Sequence, residues 1–268
     1  MKITLSEFDI LYKIKESLLN KTPLLITRFG EGEMRLFSDI QQATWILKNS
    51  LGYNPTIDII SDIRYNLENA LINSDVTGLP SFKDHSDEIM VIQTELHPLY
   101  KTIYPTFRNI FQMNNINEND FSFCDINVHS KFYNNNLFFD LLQNTDELTI
   151  ITCREIDDDL KSFFNIDKIN KYIIPPEYKY EMDIHSVEWN FYPKIYSDIK
   201  QSILSKDNSG KLLLYGAGVA GKDLGYYFKK SGGVAFDIGS VFDRWAGRIT
   251  RGPGKGKGIW VKSPLRIK

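Results

Sequence analysis

The chain has 268 residues, 42% of them hydrophobic and 25% charged, with a formal net charge of -2. That length suits one large α/β domain or two small ones, and the composition is that of an ordinary globular protein. A nearly neutral chain offers no global field for nucleic acid, and no apolar run approaches the ~20 residues that span a bilayer. The two cysteines, Cys124 and Cys153, form neither a CxxC pair nor a zinc-ligand spacing and read as reduced thiols. Met1 to Leu11 carries Lys2, Glu7 and Asp9 and so lacks the apolar stretch of a signal peptide. The expectation is a soluble, cytoplasmic protein.

Ser6 to Leu19 places Phe8, Leu11, Ile14 and Leu18 at helical spacing. The apolar run Leu24 to Thr27 reads as a strand buried on both faces, as in a parallel sheet. A second helix follows through Met34, Leu36 and Phe37, and a third spans Asp58 to Ile72. Gly78 to Ser81 reads as a turn or loop. Thr94 to Met113 is helical with interruptions near Pro98 and Pro105, Asn114 to Asp120 is a polar linker, and Phe121 to Val128 alternates weakly as a strand. Leu137 to Leu142 is a short helix. The second half predicts strands at Glu147 to Thr152, Lys171 to Ile174, Lys211 to Tyr215 and Gly233 to Asp237. Helices are predicted at Asp157 to Phe164, His185 to Leu204 and Gly221 to Lys230. Strands alternating with helices argue for βαβ units: an α/β, Rossmann-like, mainly parallel sheet flanked by helices.

Two constellations carry chemistry. The first is Arg28-Phe29-Gly30-Glu31-Gly32-Glu33, where a buried strand ends; ligands of open parallel sheets bind beyond that edge. Glu31 and Glu33 could face one Mn2+ or Mg2+ ion, with Gly30 and Gly32 allowing a tight backbone path and Arg28 holding phosphate. An acidic helix N-terminus explains the same triplet without a metal. The second is Gly216-Ala217-Gly218-Val219-Ala220-Gly221, a complete G-x-G-x-x-G between a strand and a helix. Its amides and Lys222 would bind phosphate. Asp237, 19 residues beyond Gly218 (237 − 218), stands where an acid can take a ribose hydroxyl. A glycine turn used only for packing is the plain alternative. The motif by itself suggests an NAD- or S-adenosylmethionine-dependent enzyme. It comes too late in the chain for a full dinucleotide fold, which favours a mononucleotide-type ligand.

The strand-RFGEGE segment together with LLLYGAGVAGKDLGYYFKKSGGVAFDIGSVFDRWAG resembles the GT-D fold glycosyltransferases, bacterial enzymes of surface glycan and glycoprotein assembly. The resemblance runs from about Leu24 to Gly247. It implies a glycosyltransferase with a UDP-sugar donor, a glycan or glycoprotein acceptor, and a divalent metal held by an Asp-x-Glu motif. That motif maps onto Glu31-Gly32-Glu33, with Glu31 departing from the Asp, so Glu33 is the safer ligand.

Asp243 is the first candidate for the catalytic base and His129 the second. Ser240, His185, Glu188, Trp189 and Trp245 are further candidates for donor or acceptor contact, each with a plain reading as cap or core. The domain is assigned to 1–247. The segment 248–268 is expected to be a basic, glycine-rich tail that closes over the diphosphate, touches anionic lipid as a peripheral membrane contact, or stays solvated. A non-catalytic glycan-binding subunit is the rival outside enzyme classes.

Overall fold

The computed structural model describes residues 4–80, 100–180, 190–250, 259–260 and 262–266. Ser6 caps the first helix, α1 (Glu7–Asn20). Its hydroxyl accepts the Asp9 amide while the Asp9 carboxylate accepts the Ser6 amide, so two otherwise orphaned donors are satisfied. After β1 (Leu24–Arg28) come α2 (Glu31–Arg35), α3 (Ile40–Leu51), α4 (Ile57–Ile72), β2 (Val76–Leu79), α5 (Tyr100–Met113) and β3 (Ser122–Asp125). The chain continues through α6 (Val128–Asn134), α7 (Leu137–Leu142), β4 (Glu147–Thr152), α8 (Asp157–Phe164) and β5 (Lys168–Ile173). It ends with α9 (Tyr196–Leu204), β6 (Leu212–Tyr215), α10 (Leu224–Lys230), β7 (Val234–Asp237), α11 (Val241–Trp245) and an antiparallel pair, β8 (Arg248–Ile249) with β9 (Ile259–Trp260).

Seven strands form one all-parallel sheet in the order β3-β2-β1-β7-β6-β4-β5. The inner strands β2, β6 and β7 are buried throughout, and β1 at all but Arg28, because helices cover both faces. On one face α3, α4, α5, α9 and α10 pack Leu47, Leu67, Phe107, Ile203 and Phe228 onto the sheet. On the other, α1, α6, α7, α8 and α11 contribute Ile14, Phe132, Leu142, Leu160 and Trp245. The edge strand β5 carries Lys168 and Lys171, and its residues are only partly buried or exposed.

Several sequence expectations change. Gly78 is not in a turn but inside β2, since a buried segment between β1 and β3 must use its backbone in the ladder. A Cβ on Gly78 would sit 2.9 Å from Arg28 Cγ, so the glycine makes room for that side chain. The helix α3 was not foreseen. Of the helix expected over His185 to Leu204, α9 begins only at Tyr196, after a wide turn, Phe191–Ile195, that contains Pro193. His185, Glu188, Trp189, Ser81 and Thr94 to Leu99 lie outside the described residues. The 248–268 segment is not simply a solvated appendage: Thr250 and Ser263 are buried, and Leu265 joins the core under α8 and α11. Residues 251–258 lie outside the description.

Candidate functional site

The connections from β4 and β6 leave in opposite directions along the sheet, β4 toward β5 and β6 toward β7. Their carboxyl ends diverge and open a crevice, the position where doubly wound sheets bind ligands. A cleft of about 700 Å³ lies there, within the usual range for small-molecule sites. It gathers Arg28, Glu31 and Glu33 from the first constellation with Gly216, Gly218, Lys222 and Asp237 from the second. His129 and Asp243 line it as well.

The polar floor is one linked chain. Arg28 Nε donates to the Asp237 carbonyl at 3.0 Å, and Nη2 donates to Asp237 Oδ1 at 3.0 Å. Arg28 Nη1 lies 2.8 Å from His129 Nδ1. Lys222 Nζ donates to Asp237 Oδ2 at 2.7 Å and pairs with Glu33 Oε1 at 2.9 Å. Glu33 Oε2 accepts the Gly30 amide at 3.0 Å. Burial by itself would favour neutral Asp237, but Arg28 and Lys222 outweigh it and hold the carboxyl well below the ordinary range. Glu33 is held low against the same burial penalty by Lys222, and Lys222 is in turn raised by Asp237 and Glu33 despite burial.

Both candidate bases lie at the cleft, and both are engaged there. Burial and the Arg28 charge push His129 down to about 2, so it is a neutral partner of Arg28. Asp243 accepts from Arg154 Nε at 2.8 Å and from the Thr250 hydroxyl at 2.6 Å, which engages both its oxygens. Trp245 is core, packed edge-on to Phe138.

The metal role that the resemblance implies falls on two carboxylates that protein cations engage in this structure. Glu31 pairs with Arg35 one turn on, and both oxygens of Glu33 and of Asp237 are taken. Among the described residues no group of three His, Cys, Asp or Glu side chains gathers, so a divalent ion held here would take one or two carboxylates and complete its shell with phosphate and water. Lys222 Nζ bridges the Glu33 and Asp237 carboxylates.

The three glycines of the loop have separate duties. A Cβ on Gly216 would lie 2.8 Å from the Gly239 carbonyl, so it permits the loops after β6 and β7 to touch. Gly218 has φ +61°, a left-handed conformation, with Glu177 Oε1 over it. Gly221 packs against Ala217 and Phe191 rather than opening a helix, since α10 starts at Leu224. Among the described residues, the Ala217 and Gly218 amides donate to no carbonyl. Gly32 lies inside α2 and only touches Val219, so it provides no special path. Sequence reasoning missed Arg154, Glu177, Arg244 and Trp45, all lining the cleft. The logic used for the end of β1 would have found Arg154, two residues beyond β4.

No family model matches the sequence, and no curated protein matches it significantly. Solved structures do. A selenomethionine form of domain of unknown function 1792 superposes with a TM-score of 0.53 at 17% identity, over 90% of this chain and 80% of that one. A second structure of that domain, described as a distinct glycosyltransferase fold, gives 0.51 at 16% identity with the same coverage. A third, from Streptococcus sanguinis and described as a new glycosyltransferase, gives 0.49 at 18% identity over 91% and 83%. The chain therefore has the GT-D-type α/β fold of the DUF1792 glycosyltransferase structures.

Proposed function

We propose that the cleft binds a nucleoside-diphosphate sugar, UDP-hexose in the reading drawn from the motifs, and passes the hexose to a hydroxyl of a bacterial surface glycan or glycoprotein. The observation that carries this is the meeting of the glycine loop with a cation-rich wall at the crevice between β4 and β6. Six cationic side chains (Arg28, Arg35, Arg154, Lys179, Lys222, Arg244) face five acids (Glu31, Glu33, Glu177, Asp237, Asp243), with His129 neutral. The balance attracts an anion. Arg244 stacks over Tyr133 and has no acidic partner among the described residues, which leaves its charge for a ligand.

A departing diphosphate develops negative charge, and cations fixed in a partly desolvated cleft stabilise it without reorganising. The chain's own arginines and lysine supply that charge. Glu31 is paired with Arg35 but 43% exposed, which makes it the cleft carboxylate most open to an acceptor hydroxyl. It is the first residue to test as the group that deprotonates it.

An NAD or S-adenosylmethionine site is disfavoured by Asp237: the carboxylate that would hold a ribose is closed off by Arg28 and Lys222. Thermal shift against UDP, NAD and S-adenosylmethionine separates the readings. UDP at a hundredfold its Kd should add about 2.7 kcal/mol of stability, and the other two should add none. A shift with NAD instead of UDP would overturn the assignment, and no shift with any nucleotide would favour a glycan-binding subunit. Among the described residues no helix is long and apolar enough to cross a membrane. The proposed setting is cytoplasmic, with any contact to the inner membrane face made by the basic tail.

A further inference from the structure

Twelve large apolar side chains are exposed among the described residues, and of these Trp45 alone lines the cleft. It is 62% exposed and lies off the buried face of α3, which is Ala43, Ile46, Leu47 and Leu51. One turn on, the Asn49 side-chain Nδ2 donates to the Trp45 main-chain carbonyl at 2.8 Å, which ties the carboxamide to the helix backbone, and Asn49 lines the cleft as Trp45 does. Its Oδ1 has no partner among the described residues. Ser50 follows and lines the cleft too. The turn Tyr178–Tyr180 packs against α3 and steadies this wall.

An indole face flanked by a carboxamide and a hydroxyl is the complement of a pyranose ring, with its apolar C–H face and its edge of hydroxyls. The anionic half of the donor is drawn to the cations and glycine loop on the sheet edge. An acceptor sugar carries no such charge and enters from solvent, where the exposed Trp45 stands. We propose that Trp45, with Asn49, is a stacking platform for a pyranose ring of the acceptor. Naming that ring the acceptor rests on the glycosyltransferase reading above.

The test titrates wild type, Trp45→Phe and Trp45→Ala with maltose, lactose and cellobiose, and separately with UDP, by calorimetry and tryptophan fluorescence. At least one disaccharide should bind wild type. Its affinity should fall about tenfold in Trp45→Ala and stay within roughly threefold in Trp45→Phe. UDP affinity should be unchanged in both. Absence of disaccharide binding to wild type, or binding indifferent to Trp45→Ala, overturns the platform. So does a Trp45→Ala variant that loses UDP affinity instead, which would make the indole a nucleobase contact. Disaccharide binding through Trp45 with no UDP binding at all supports the platform while sinking the donor-site reading.

Discussion

Removing the Arg28 guanidinium would leave Asp237 buried with Lys222 as its one cation and His129 without its donor. Breaking a buried pair from one side typically costs about 3–5 kcal/mol. Arg28→Met should lower urea-unfolding stability by that order, and Asp237→Leu on the same background should recover part of it. If the single substitution changes stability by less than roughly 1 kcal/mol, the pair is not buried as described. Asp237 is held below the ordinary carboxylate range, so its contribution is present above that range and fades as pH falls through the folded pKa. Asp223 behaves in the opposite sense. Burial raises its carboxyl to about 7, although the Tyr196 hydroxyl donates to it at 2.6 Å. The native state then holds a proton that the unfolded chain releases near pH 4. Stability therefore falls as pH rises from about 4 to 7 and stays reduced above. Asp223→Asn should raise Tm at pH 8 relative to wild type and leave it nearly unchanged at pH 4. An equal shift at both values would show the charge to be irrelevant.

At the scale of elements, the glycine loop and α2 make contrasting cases. Gly218→Val forces a β-branched residue into a left-handed conformation and pushes its Cβ toward Glu177, 3.1 Å away. UDP affinity measured by calorimetry should be lost, and unchanged affinity would show the loop to be structural. Gly32 lies within a helix, and a Cβ there meets Val219 Cγ1 at an ordinary 3.7 Å. Gly32→Ala should therefore stabilise by up to ~1 kcal/mol in chemical denaturation. A loss of stability would mean that the backbone at this position needs a glycine after all. Elements with strong periodicity were legible: Glu147–Thr152 and Asp157–Phe164 match the expectation residue for residue. Gly78 was misread because a glycine that admits a neighbouring side chain looks, in sequence, like a glycine that turns the chain. The helix Ile40–Leu51 was missed although Asp39 caps it and Gly52 ends it in the left-handed region, two signals present in the sequence.

For the whole molecule, the question is whether the cleft works through resident cations or a bound one. The linked Glu33-Lys222-Asp237-Arg28 chain predicts that UDP binding survives EDTA and that Lys222→Met weakens it at least tenfold. A UDP-induced shift that vanishes with EDTA and returns with Mn2+ would restore Glu31 and Glu33 as ligands. The parallel sheet joins both constellations: β1 and β7 are hydrogen-bonded neighbours, so residues 28 and 237, about two hundred positions apart, end side by side.

Read by itself, the sequence determined the α/β class, most of the strands, and the two segments that meet in the cleft. Local periodicity and glycine spacing depend on neighbours a few residues away, so they are visible in one dimension. Only the tertiary structure decided which partner each charge meets. That Glu33 meets Lys222, that Asp243 meets Arg154, and that Trp45 stands exposed beside the cleft depends on groups brought together from distant elements. Those meetings are long-range, so burial and ion pairing at the site are not visible in one dimension.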